Sequence, residues 1–136
     1  MKTFPRFILL DDDLFALEIA KKIVRDYSRR VEIISFSACK EAIDYMEANY
    51  FKVKYPETVL LTDLHMPEMD GFYLLDRMEK MPRAERLRLH IFVLSAAACP
   101  EEMKRVLSYS CVTGFYNKPL SMDKVRHIMD CVQYQL

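Results

Sequence analysis

The chain has 136 residues, 51% hydrophobic and 29% charged, with 20 basic side chains balanced by 20 acidic ones. That length suits one domain able to bury a real core, and the composition excludes a disordered chain. A formal net charge of zero leaves no basic footprint, so no nucleic-acid partner is expected.

The elements follow in chain order. Residues 7–10 are a continuous apolar run, read as a strand, and Asp11, Asp12 and Asp13 end it. That run is too short for a signal segment or a membrane span, so a cytoplasmic protein without membrane contact is expected. Leu17, Ala20, Val24 and Tyr27 recur at helical spacing, and Asp13 is placed to cap that helix. A second strand is read at 31–34. A helix follows, with Ser37 as N-cap and Ala42, Tyr45 and Met46 facing inward.

Residues 50–57 read as a surface loop. A third strand at 58–61 precedes Asp63, and Phe72, Leu75 and Met78 mark the next helix. After a second loop at 80–90 comes a strand at 91–94, ending at Ser95. Pro100 suits a first helical position, with Glu101 and Glu102 in the first turn and Met103, Val106 and Leu107 inward. A last strand at 113–116 contains Gly114 and is followed by Lys118 and Pro119. Ser121 then caps a helix carrying Val125, Ile128, Met129 and Val132.

Five strands alternating with five helices imply a doubly wound α/β fold with a parallel sheet. The first, third and fourth runs are apolar throughout, as in strands buried on both faces. Glu32 in the second and Gly114 in the short fifth mark edges, which gives the order 2-1-3-4-5. The four cysteines, Cys39, Cys99, Cys111 and Cys131, form no C-x-x-C pair and have no zinc-type His spacing. They read as reduced, mostly buried thiols.

Ligands of open α/β sheets bind beyond the carboxyl ends of the strands, where the strand order reverses. Here that point lies between strands one and three, so Asp11, Asp12 and Asp63 should converge. Adjacent carboxylates repel unless a cation joins them, and Mg²⁺ suits a site of a few carboxylates that also receives phosphoryl oxygens. An Asp-Asp pair after a strand often does no more than cap a helix. Ser95 and Lys118 end two further strands at the same crevice, and capping alone does not account for polar groups at four strand ends. Gly71 is read as allowing a close backbone approach beside this site, and Gly114 as a turn residue.

These residues resemble the receiver domain of two-component response regulators. The resemblance rests on ILLDDD at 8–13, LTDLHMPEMDG at 61–71, VLSA at 93–96 and FYNKP at 115–119, and it covers nearly the whole chain. It implies a flavodoxin-like (βα)5 receiver fold, with 1–136 as a single receiver domain. Asp63 matches the residue phosphorylated in the family. Asp11 and Asp12 match the acidic pair that holds Mg²⁺, Asp12 directly and Asp11 through water, with the His65 carbonyl as a further ligand. Ser95 and Lys118 match the groups that contact the phosphoryl oxygens, and the Lys118–Pro119 bond is expected to be cis. Ser95 and Phe115 match the family's switch pair. Phe115 has no hydroxyl, so only a packing switch is expected. The His65 side chain is read as a rim residue facing solvent.

The resemblance implies a histidine kinase or histidine phosphotransfer protein as phosphoryl source, facing the first helix. It implies a downstream protein bound by the face of helix four, strand five and helix five, with Met103, Val106, Leu107 and Tyr116 nearby. A short N-terminal lead and a final helix closing at Leu136 give the expectation of a single-domain regulator, not a conventional enzyme. Two alternatives compete. A haloacid-dehalogenase-type phosphatase wants a second Asp two residues after the nucleophile, where this chain has His65. A pseudo-receiver would bind partners without phosphorylation, and the full set of site residues disfavours it.

Overall fold

The computed structural model describes residues 4–49, 57–82 and 88–134. Its elements are β1 (Arg6–Leu10), α1 (Leu14–Tyr27), β2 (Ile33–Phe36), α2 (Cys39–Asn49), β3 (Thr58–Thr62), α3 (Gly71–Glu79), β4 (Leu89–Ser95), α4 (Pro100–Ser108), β5 (Val112–Asn117) and α5 (Met122–Tyr134). All strand pairings are parallel, and the sheet order is β2-β1-β3-β4-β5. This is the expected doubly wound receiver architecture.

Strand periodicity divides the core. Ile8, Leu10, Leu60, Ile91 and Val93 point to one face, against Ala42, Met46, Leu74, Leu75 and Val106 of α2, α3 and α4. Phe7, Leu9, Val59, Leu61, Phe92 and Leu94 point to the other, against Leu17, Val24, Val125, Ile128 and Met129 of α1 and α5. Every residue of β1, β3 and β4 is buried, whereas β2 and β5 are half-buried edges. Leu60 in the central strand is fully buried, and truncating such a residue to Ala costs about 2–5 kcal/mol.

Helix starts are locally encoded. Asp13 Oδ1 accepts from the N–H groups of Phe15 and Ala16, at 3.0 and 3.2 Å. Ser121 Oγ accepts from Lys124 N at 3.2 Å. Pro100 opens α4, and Glu102 accepts from Cys99 N at 3.1 Å, closing a capping box that the sequence reading missed.

Several expectations are corrected. β2 runs two residues later than 31–34, because the Glu32 carbonyl takes Phe7 N at 2.8 Å and pairing continues to Phe36. Ser37 does not precede α2 directly; Ala38 does, and its carbonyl accepts from Ala42 N. Leu89 and His90 are buried strand residues, not loop. Residues 50–56 and 83–87 of the two expected loops lie outside the described residues. Leu107 of α4 is 57% exposed, since Val106 takes the inward position and its neighbour must turn away.

Gly114 lies within β5, without positive φ, where a Cβ would stand 3.1 Å from the Phe92 ring. It makes room for that ring beside a register shift between Ile91 and Phe92 rather than forming a turn. The cysteines are free, but only Cys39 is buried; Cys99 is exposed. No helix among the described residues is long and apolar enough to cross a membrane.

Candidate functional site

The carboxyl ends of β1, β3, β4 and β5 meet at one crevice. Backbone pairing carries the ladder one residue past each strand: Asp11 N donates to Phe36 O at 3.2 Å, Asp63 N to Leu10 O at 3.0 Å, and Lys118 N to Ser95 O at 3.0 Å. The residues that follow the strands are therefore as fixed as the strands themselves. Ser95, the last residue of β4, is fully buried, and its Oγ lies 3.5 Å from Ala97 N.

Lys118 Nζ sits between two carboxylates, 2.6 Å from Asp11 Oδ2 and 2.9 Å from Asp63 Oδ2. The remaining oxygens are held by backbone. Asp11 Oδ1 accepts from Asp13 N at 2.9 Å, and Asp63 Oδ1 from Leu64 N at 2.7 Å. Asp11 and Asp63 are buried, 7% and 8% exposed, while Asp12 is open to solvent. Burial pushes the Asp11 carboxyl above its ordinary value, and the Lys118 ammonium only partly offsets this. For Lys118 burial pulls downward, but its hydrogen bonds to Asp11 and Asp63 prevail and raise its pKa. An ammonium–carboxylate contact of 2.6 Å favours the charged form of both partners at neutral pH.

Ligand atoms of Asp11, Asp12 and Asp63 lie within 4.8 Å of one another. Three carboxylates against one ammonium leave two negative charges, and all the donors are hard oxygens. That donor set fits a hard dication such as Mg²⁺.

Gly71 approaches the site as the sequence suggested. Its N–H donates to Leu64 O at 2.8 Å, and a Cβ there would lie 2.4 Å from the Asp63 carbonyl oxygen. The intervening loop turns through Glu68, at a φ of 65°, which nothing in the sequence announces. Asp70 then caps α3, accepting from Tyr73 N at 3.0 Å.

The His65 side chain is half-exposed, but it does not simply face solvent. Its Nε2 stands 3.3 Å from Glu102 Oε2, so it reaches the start of α4. The Lys118–Pro119 bond is cis. Phe115 is partly buried against the α2–α4 side of the core, and Tyr116 against the α1–α5 side. Of the expected output-face residues Val106 is core, whereas Leu107 is exposed and Met103 half-buried. Sequence reasoning missed the apolar wall of the crevice, where Phe15 and Ile19 are 76% and 37% exposed. The signal was present, because both fall off the core stripe of α1.

The fold and site are those of a doubly wound α/β protein with an acidic crevice and a lysine at its strand ends, and the family follows from comparison. The response regulator receiver domain model matches residues 7–130, and the chain belongs to that family. It is 34% identical over 103 residues to the gliding motility regulatory protein of Myxococcus xanthus, covering 75% of this chain and 12% of that protein. It is 27% identical over 130 residues to the probable methanogenesis regulatory protein FilR2 of Methanothrix harundinacea, covering 93% and 80%. The chain thus spans only a small part of the first relative but most of the second. The two-component response regulator from Cytophaga hutchinsonii has the same fold, with a TM-score of 0.87 at 22% identity over 98% of this chain and 99% of that one.

Proposed function

We propose that this receiver domain accepts a phosphoryl group on Asp63, in a Mg²⁺-dependent reaction, from a histidine kinase or histidine phosphotransfer protein. It then signals through phosphorylation-dependent partner binding or passes the group along a relay. The observation that carries this reading is the placement of the Lys118 ammonium between the carboxylates of Asp11 and Asp63.

Phosphoryl transfer asks a protein chiefly for positioning and charge neutralisation. An Asp63 oxygen is the nucleophile, oriented by the Leu64 N–H on its other oxygen. Asp11, Asp12, Asp63 and the His65 carbonyl would hold the dication, which would supply positive charge to offset that of the phosphoryl oxygens. Lys118 leaves its resting contacts to pair with one phosphoryl oxygen, and the Ser95 hydroxyl donates to another. No general base is needed, because the carboxylate attacks in its ionised form.

Ser95 moving toward the phosphoryl group frees space into which Phe115 packs. That movement biases α4 and β5, and the α4–β5–α5 face is the output surface. The receiver domain acts in the cytoplasm, without turnover of an external substrate beyond its own phosphorylation and dephosphorylation. Intact-mass measurement with Mg²⁺ and acetyl phosphate tests the reading. A phosphoryl adduct that vanishes in Asp63→Asn is expected. No adduct with any of several donors sinks it.

A further inference from the structure

Lys124 places an ammonium in the first turn of α5, where the partial positive charge of a helix N-terminus disfavours a cation. Its Nζ turns back past the helix start and donates to two backbone carbonyls, Asn117 O at 2.6 Å and Pro119 O at 2.7 Å. A helical Cβ leans toward the N-terminus, which sends the side chain that way. Ser121 Oγ fixes its root by accepting from Lys124 N at 3.2 Å. The side chain is half-buried, and none of the ion pairs among the described residues includes it. Its charge serves these two carbonyls.

The two carbonyls flank Lys118. The Asn117–Lys118 peptide unit lies at the end of β5, an edge strand. Its N–H donates inward, to Ser95 O of β4 at 3.0 Å. In a trans peptide the C=O points the opposite way, so Asn117 O faces the open edge of the sheet, where no strand accepts its partner role. Lys124 Nζ occupies that position. The peptide unit before the Lys118 Cα is thus held from both sides, and the bond to Pro119 O fixes the chain two residues on. These bonds set the direction in which the Lys118 side chain leaves the backbone. Its long flexible stem magnifies any tilt there before the ammonium reaches Asp11 and Asp63, at 2.6 and 2.9 Å.

We propose that Lys124 is a positioning residue for phosphoryl transfer, clamping the backbone on either side of Lys118 and so aiming the Lys118 ammonium at the phosphoryl oxygen. The inference rests on Asp63 being the phosphoryl acceptor and Lys118 its partner. Lys124 acts only through Asn117 and Pro119. Asp11 and Asp63 are held by their own backbone hydrogen bonds, from Asp13 N and Leu64 N, so the carboxylates stay in place without the clamp. Its loss therefore lowers the rate at saturating donor and leaves Mg²⁺ affinity alone. Stability changes little, because losing two hydrogen bonds is offset by removing a cation from a helix N-terminus.

Lys124→Met keeps the stem without the donors, and Lys124→Arg keeps donors. The quantity read is the rate of the Asp63 adduct by intact mass, with Mg²⁺ and saturating acetyl phosphate. The rate is expected to fall about tenfold in Lys124→Met, at nearly wild-type urea midpoint and Mg²⁺ dissociation constant, and to recover largely in Lys124→Arg. In a Lys118→Ala background, Lys124→Met should change the rate by less than about twofold, since the group it aims is gone. A wild-type rate in Lys124→Met overturns the proposal, and so does an equal fall in both backgrounds. Amide hydrogen exchange reads the clamp without any phosphorylation: Lys118 N–H exchanges severalfold faster in Lys124→Met, while Asp63 N–H does not change. Unchanged exchange at Lys118 overturns the clamp. If no donor modifies wild-type Asp63 while exchange still responds, the phosphoacceptor reading and the role in transfer fall together, and only the backbone clamp stands.

Discussion

The α-carbon of Gly71 lies so close to Asp63 that a Cβ on it would stand 2.4 Å from the Asp63 carbonyl oxygen and 2.8 Å from the Leu64 Cα. Both obstacles are backbone, which cannot swing aside like a side-chain tip. The loop from Asp63 to Gly71 is further closed by Gly71 N donating to Leu64 O at 2.8 Å. Gly71→Ala therefore has to move the start of α3 or the Asp63 backbone itself. Overpacking of this kind costs about 1–3 kcal/mol, a loss to be read in urea unfolding. Displacing the acceptor is expected to slow adduct formation about tenfold beyond what the unfolded fraction explains. A variant with wild-type stability and rate contradicts the close packing.

Lys118 balances two buried carboxylates from 2.6 and 2.9 Å, and its removal leaves Asp11 and Asp63 facing each other. Lys118→Ala is expected to lose about 1–3 kcal/mol of stability in the presence of EDTA, less than for a fully buried pair because Asp12 keeps the crevice open to water. Mg²⁺ should restore more stability to Lys118→Ala than to the wild type, since a dication supplies the missing positive charge. Parallel melts with EDTA and with Mg²⁺ decide this; equal Mg²⁺ shifts in both proteins contradict it.

The sheet and the acidic cluster were legible for different reasons. The apolar runs of β1, β3 and β4 are unbroken because both faces are buried, and Gly114 marks the β5 edge, whereas Glu32, read as part of the second strand, lies just before β2. Asp11, Asp63, Ser95 and Lys118 needed only the strand order to be brought together, since each sits at a strand end. What the sequence hid depends on tertiary neighbours. Gly114 resembles a turn residue until Phe92 is placed against it. His65 looks like a free rim residue until α4 brings Glu102 within 3.3 Å. Val106 and Leu107 are both apolar, and only packing decides which one turns inward.

The thiols should differ sharply in reactivity. Cys39 is 3% exposed, and burial, aided by the Asp70 carboxylate, pushes its pKa up to about 11. At pH 8 roughly one Cys39 thiol in a thousand is then ionised, and access is closed as well. Cys99, at the N-cap of α4, is exposed. A disulfide-exchange reagent is expected to modify Cys99 within the fast phase and Cys39 only under unfolding conditions. Peptide mapping after partial labelling reads the order, and early label on Cys39 contradicts the packing around it.

Glu79, the last residue of α3, holds the connection between α4 and β5. Its Oε1 accepts from Ser110 N at 2.9 Å and from Ser110 Oγ at 2.5 Å, and its Oε2 accepts from Cys111 N at 3.0 Å. Partial burial works to raise its pKa, but the hydrogen bonds from Ser110 and Cys111 outweigh it and bring the value to about 2, from an ordinary 4.5. A carboxyl whose folded pKa is depressed stabilises the fold above its unfolded pKa and loses that contribution as pH falls through the folded one. The stability due to Glu79 is therefore complete above about pH 5.5 and declines between pH 4.5 and 2. Glu79→Gln keeps one acceptor oxygen but not both, and in this half-exposed position is expected to cost about 1 kcal/mol at pH 7. The gap between wild type and variant should narrow steadily as urea midpoints are measured from pH 6 down to pH 3. A gap that stays constant over that range means the carboxylate charge is not what ties α3 to the connection between α4 and β5.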